Sequence, residues 1–190
     1  MGVTVDGGEG IKRVLELGPQ AIRSVLANLP YPADTALLVV QQMPAGFTLA
    51  FADRLYRYLD FRVLEGKGCN TVRPGHIDVA RGGLDMVVEV VGKTGQPKIV
   101  LETPVESEAH CLSVDRLFVS VATPPFNALG GGNRNRMGGQ FGAGASYDCG
   151  GTVVAESVES AIVFGMPSGV IGSLESYGGF TFGRHACLSF

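Results

Sequence analysis

The apolar run Ala36, Leu37, Leu38, Val39 and Val40, closed by the polar pair Gln41 and Gln42, constrains the fold more than any other part of the chain. Five apolar residues without a polar one among them leave no face for water, so the run predicts a strand covered on both sides, as strands of parallel sheets are. Its flanks are helical in period. Before it, Ile22, Val25, Leu26 and Leu29 recur at helical spacing behind Pro19, which suits a first helical turn, and Pro30 and Pro32 stop the pattern. After it, Phe47, Leu49, Phe51, Leu55 and Tyr58 predict a second helix packed by one face. A short strand at Ile11 to Leu17, punctuated by Gly18 and Pro19, completes strand, helix, strand, helix. That order is the α/β pattern.

Further along, Phe61 to Leu64 predicts a short strand, and Arg73, Pro74 and Gly75 form a turn signal ahead of a strand at Ile77 to Ala80. Leu84 to Val91 and Lys98 to Leu101 read as a β-hairpin joined by a turn from Gly92 to Pro97. Ser113 is placed to cap a helix carrying Val114, Leu117, Phe118 and Val121, which ends before Pro124 and Pro125. Thr152 to Ala155 reads as a strand, and Ala161 to Met166 leads through Pro167 into a short helix with Val170 and Ile171. Residues 1–10, glycine-rich and acidic, are expected to be a loose N-terminus. One domain is expected over 11–175, and 176–190 reads as a divergent tail.

With 45% hydrophobic and 17% charged residues in 190, the chain has material for one sizeable core. A formal net charge of -3 offers no general attraction for nucleic acid or anionic lipid. No apolar stretch approaches the roughly 20 residues that span a bilayer. Cys69, Cys111, Cys149 and Cys187 lack the pairwise spacing of a metal or redox motif, and a cytoplasmic protein with reduced thiols is expected. The 28 glycines, about twice the usual share of roughly 7%, are densest over 130–151. The arginine forks of Asn133, Arg134, Asn135 and Arg136 suit phosphate, yet no nucleotide-binding glycine pattern accompanies them, so the block reads as a solvated loop.

Several segments resemble one family in order and at compatible spacing. VVQQMPAGFT at 39–48 is similar to V-V-Q-H-M-P-P-G-F-T of the chemotaxis protein-glutamate methylesterases, the CheB family. GPQAIRSVLANLP at 18–30, VRPGHIDVARGG at 72–83, SVDRLFVSVA at 113–122 and ESAIVFGMP at 159–167 resemble further motifs of that family. The resemblance implies a doubly wound, mainly parallel sheet in a Rossmann-like three-layer arrangement with a hairpin insertion. It also implies a Ser-His-Asp triad that hydrolyses methyl esters of receptor glutamates, with no cofactor or metal. The receiver domain usual in the family has no counterpart in these residues.

The triad positions carried over by the resemblance hold other residues. The nucleophile of G-A-S-T-G-G-P, counted back from Pro19, falls on Leu15, and residues 11–19 contain no serine, threonine or cysteine. The histidine falls on Gln42, whose amide has no proton-transfer pKa near neutrality. The aspartate falls on Gly138 or Gly139, depending on the flank from which it is counted. That block, 128–139, is expected to be a buried central strand, where glycines and arginines pack badly.

Ester hydrolysis of this kind needs an activated oxygen, an oriented base and oxyanion donors together. The expectation is therefore a degenerate methylesterase-like domain that binds or scaffolds, with a chemoreceptor or signalling protein as partner and neither nucleic acid nor a membrane. The alternative is an active methylesterase, or another hydrolase, that uses residues outside the inherited triad. Ser24, Ser113, Ser120, His76, His110 and Cys111 are the groups available to it. Adjacent residues such as His110 and Cys111 rarely face each other, and no zinc-spaced ligand set is present.

Overall fold

A computed structural model of the chain describes residues 2–4, 11–15, 19–28, 36–41, 43–91, 96–104, 114–122, 142, 144–145, 152–156 and 185–188. The strand of five apolar residues forms as β3 (Ala36–Val39), with all four of its residues buried. It follows β1 (Gly2–Thr4), β2 (Ile11–Leu15) and α1 (Pro19–Asn28). Pro19 opens α1, where a missing backbone N–H costs nothing, and Ile22 and Leu26, one turn apart, are buried. Helix α2 (Phe47–Tyr58) buries Thr48, Phe51, Ala52 and Leu55, and ends where extended Leu59 donates its N–H back to the Leu55 carbonyl. Next come β4 (Arg62–Glu65), β5 (His76–Val79), the hairpin β6 (Asp85–Val91) and β7 (Gln96–Glu102), and α3 (Val114–Ala122). Strands β8 (Thr152–Glu156) and β9 (His185–Leu188) close the order.

Seven strands form one sheet in the order β4-β5-β3-β2-β1-β8-β9. Strands β2, β3, β5 and β4 are parallel neighbours, β8 is parallel to β9, and β1 is antiparallel to both β2 and β8. Among the described strands of this sheet, six share one direction and β1 alone opposes them. After β1 the chain enters β2, winds outward through β3 to β4 and β5, and resumes on the far side of β1 in β8. The reversal falls at β2, and crevices at such a reversal, beyond the carboxyl ends of the strands, are where open α/β sheets bind ligands.

Alternation along β3 sends its side chains into two cores. Leu37 and Val39 join Ile77 and Val79 of β5, Ile22 and Leu26 of α1, and Phe51, Ala52 and Leu55 of α2. On the opposite face, Ala36, Leu38 and Val40 meet Met86, Val88 and Ile99 of the hairpin and Val114, Leu117, Phe118 and Val121 of α3. Two helices, the sheet, and a helix with its hairpin make three layers, the doubly wound α/β arrangement expected.

Three readings differ from the structure. Residues 2–4, placed in a loose terminus by their composition, pair on both sides as β1, with Val3 opposite Val14 and Val153. A three-residue strand is too short to display a period, and its pairing comes from the open edges of β2 and β8. Pro97, assigned to the hairpin turn, lies within β7 opposite Val90, and its carbonyl accepts the Val72 N–H at 2.9 Å. His185–Leu188, in the divergent tail, adds β9 to the sheet. The expected strand at 128–139, the Ser113 cap, and the segment 161–166 with the short helix after Pro167 lie outside the described residues.

Candidate functional site

The carboxyl edge of the parallel strands is built from the ends of β2, β3 and β5. Leu15 is the last residue of β2 and stands in register with Val39 of β3, and Val39 with Val79 of β5. The Val39 carbonyl accepts the N–H of Ala80 at 2.7 Å, so the two segments leaving the sheet, 40–46 and 80–83, begin side by side.

One buried hydroxyl fastens these segments together. Thr48 Oγ1 donates to Glu65 Oε1 at 2.6 Å, at the end of β4, and accepts the Gly82 N–H at 3.0 Å. Gly82 has no room for a side chain. A Cβ there would lie 2.9 Å from the Pro44 carbonyl oxygen, 3.0 Å from that of Met43 and 3.1 Å from Ala45 Cα. Gly46 precedes α2 with φ of 92°, a left-handed turn that favours glycine, and no side chain caps the helix. The Phe47 N–H closes the turn onto the Pro44 carbonyl at 3.1 Å. Loop 43–46 is therefore held by backbone contact and one threonine. Residues 45–48 and 80–83 fall within the motifs that carry the resemblance, but the Thr48–Gly82 bond between positions 34 residues apart is visible only in three dimensions.

Of the three triad positions that the resemblance carries over, Leu15 is placed at the carboxyl end of β2, while Gln42 and Gly138 or Gly139 lie outside the described residues. The neighbouring Gln41 is half-buried, and its Oε1 has no hydrogen-bond partner among the described residues. Thr48, at 0% exposure with both bonds made, is closed to a substrate.

The other hydroxyls and imidazoles are not gathered there. Ser120, on α3, accepts the Val88 N–H at 3.0 Å and donates to the Leu117 carbonyl at 2.7 Å, tying helix to hairpin. His76 opens β5, at the amino end of the sheet, with Nδ1 3.0 Å from the Pro74 carbonyl. Ser24 is half-buried within α1. His110, Cys111 and Ser113 lie outside the described residues. No group of three metal-ligating side chains occurs among the described residues, and none of their helices is long and apolar enough to cross a membrane.

Two buried charge arrangements escaped the sequence. Asp78 of β5 is 3% exposed, and loss of water pushes its carboxyl from 3.8 up to about 6, against the pull of His76. Arg116 of α3 bridges Asp85 Oδ2 at 2.7 Å and Glu102 Oε2, one from each hairpin strand, with Asp85 fully buried. Beside it, Asp115 Oδ1 accepts the Gly142 N–H at 2.6 Å. Asp85 lies within, and Glu102 directly after, segments whose sequence reads simply as strand.

A doubly wound sheet whose strand order reverses at β2 defines a Rossmann-like α/β protein. The sequence profile of the CheB methylesterase family matches residues 16–176, and the chain belongs to that family. It is 42% identical over 156 residues to the protein-glutamate methylesterase/protein-glutamine glutaminase 1 of Myxococcus xanthus, covering 81% of this chain and 45% of that protein. Its identity to the corresponding protein 3 of Geobacter sulfurreducens is 36% over 156 residues, covering 81% of this chain and 42% of that one. The chain thus spans under half the length of these relatives. The crystal structure of the Thermotoga maritima CheB methylesterase catalytic domain superposes with a TM-score of 0.73 at 28% identity, covering 90% of this chain and 86% of that one.

Proposed function

We propose that this chain is a CheB-type domain, spanning 11–175, that lacks protein-glutamate methyl ester hydrolysis and serves as a cytoplasmic binding or scaffold module toward a chemoreceptor or signalling protein. The observation that carries the reading is Leu15. It ends β2, at the sheet reversal where the family resemblance places the nucleophile, and a hydrocarbon side chain cannot attack an ester. Gln42 and Gly138 or Gly139, at the base and acid positions, support it by identity alone. Members of a catalytic unit fail together, and loss of a nucleophile removes most of the rate.

The test is methanol release from a protein substrate carrying glutamyl methyl esters. Release is expected no faster than in buffer, and Leu15→Ser with Gln42→His is expected to restore little, since the acid position remains glycine. Heat-sensitive methanol release by the unmodified chain would overturn the reading.

A further inference from the structure

Strand β4 ends the sheet with its outer side open. Arg62 and Gly66 donate their backbone N–H groups toward β5, to the carbonyls of Gly75 and Val79 at 3.4 and 2.8 Å. Alternation therefore turns the N–H and C=O groups of Val63 and Glu65 outward, where no strand pairs with them among the described residues. Helix α2 lies over this edge, tied to it by the bond from Thr48 to Glu65. Tyr56 and Tyr58 stand on opposite flanks of the helix, since two residues turn it through about 200°. Arg23 of α1 lies 5.8 Å from the centre of the Tyr58 ring, so the Tyr58 flank faces inward along the sheet. Leu49 and Tyr56, 51% and 58% exposed, hold the flank beyond the sheet edge. Val63 belongs to the core beneath α2, so Leu64 points to the opposite face, where it is 37% exposed. Unpaired backbone groups are thus bordered by exposed apolar side chains above and below, the combination that invites another strand.

We infer that β4 pairs antiparallel with β4 of a second copy of this chain, about a two-fold axis through Leu64, and continues one sheet through both molecules. In this register Val63 faces Glu65 of the copy, and each donates to and accepts from the other through the outward backbone groups. Leu64 meets its own counterpart on the axis, in a pair without backbone bonds, where facing side chains come closest. Arg62 falls opposite Gly66, so no like charges oppose each other across the ladder. The axis stands perpendicular to the sheet, which puts both α2 helices on the same face and turns Leu49 and Tyr56 of each toward the other copy. A two-fold interface must be complementary to itself. This edge is so in both backbone and side chains, whereas an unrelated strand would answer the backbone groups alone. The inference holds whether or not the crevice hydrolyses esters.

Analytical ultracentrifugation over a concentration series tests it. The mass is expected to rise from one chain toward two, and Leu64→Lys, which sets like charges together on the axis, is expected to raise the dissociation constant about tenfold or more. Leu49→Lys combined with Tyr56→Lys is expected to weaken pairing severalfold, and Tyr58→Lys, on the inner flank, to stay within about twofold. All of these positions are exposed, and circular dichroism checks that the variants keep the fold. In a Cys69→Ser background, Leu64→Cys is expected to crosslink to its counterpart under mild oxidation, because the Cα atoms of such a facing pair stand about 4.5 Å apart, within reach of a disulfide. Arg62→Cys, displaced from the axis in both copies, is expected not to. A single-chain mass at every concentration would overturn the inference, and strong exchange protection of the Val63 and Glu65 amides in that monomer would give the edge to another segment of the same chain. A dimer left intact by Leu64→Lys, weakened equally by Tyr58→Lys, or crosslinked through Arg62→Cys and not Leu64→Cys would overturn it by placing the contact elsewhere.

Discussion

Thr48 and Asp78 show how single side chains on neighbouring elements serve opposite ends. Thr48 Oγ1 satisfies a backbone N–H and a carboxylate at once, and Thr48→Val keeps the shape while orphaning both. We expect a loss of about 1–3 kcal/mol in urea unfolding, the usual cost of stranding buried polar groups. Asp78 acts the other way. With its carboxyl at about 6 in the fold against 3.8 ordinarily, the folded chain holds a proton that the unfolded chain has released between those values. Its contribution to stability is therefore full below about pH 4 and lost as pH rises through about 6. We expect Asp78→Asn to gain on the parent chain between pH 4 and 7, by at most about 3 kcal/mol. Parallel stability curves for the two proteins would show that the burial of Asp78 is not what shifts it.

Elements in this molecule are recognisable by period and joined by charge. Helix α3 displays its apolar positions plainly, and Val114, Leu117, Phe118 and Val121 are all buried as that spacing requires. Its attachment to the hairpin is less visible, because Arg116 must reach Asp85 and Glu102 from two strands that pair only after folding. Removing the guanidinium leaves the Asp85 carboxylate buried beside an apolar cluster. We expect Arg116→Ala to destabilise the chain by about 2–4 kcal/mol and Arg116→Lys to recover part of that loss, since one ammonium does not fork to two carboxylates. Thermal unfolding of the two variants checks the order, and equal stability of both with the parent would make the bridge an exposed, weak one.

At the scale of the whole molecule, β3 and β5 lie between two cores, with Leu37, Val39, Ile77 and Val79 facing one and Leu38, Val40 and Ala80 the other. Protection in hydrogen exchange tracks such burial, so we expect the amides of 37–39 and 77–80 to exchange slowest and those of β4, at the sheet edge with Arg62 and Leu64 exposed, to exchange sooner. The reverse order would mean that stability resides outside this centre. Much of this arrangement is local information. An uninterrupted apolar run at 36–40, helical periods at 22–29 and 47–58, and a proline at a first helical position are properties of neighbouring residues, and the alternation of elements fixes an α/β class. The identities of Leu15 and Gln42, on which the proposed loss of nucleophile and base rests, are equally local. What only the tertiary structure decided depends on groups distant in sequence. The place of Gly2–Thr4 between β2 and β8, the contact of Gly82 with the 43–46 loop, and the Arg116 bridge each require backbones brought together by the two cores. None of them leaves a period or a composition to read, because hydrogen bonds and close approaches between distant segments are set by geometry after the apolar faces have found one another.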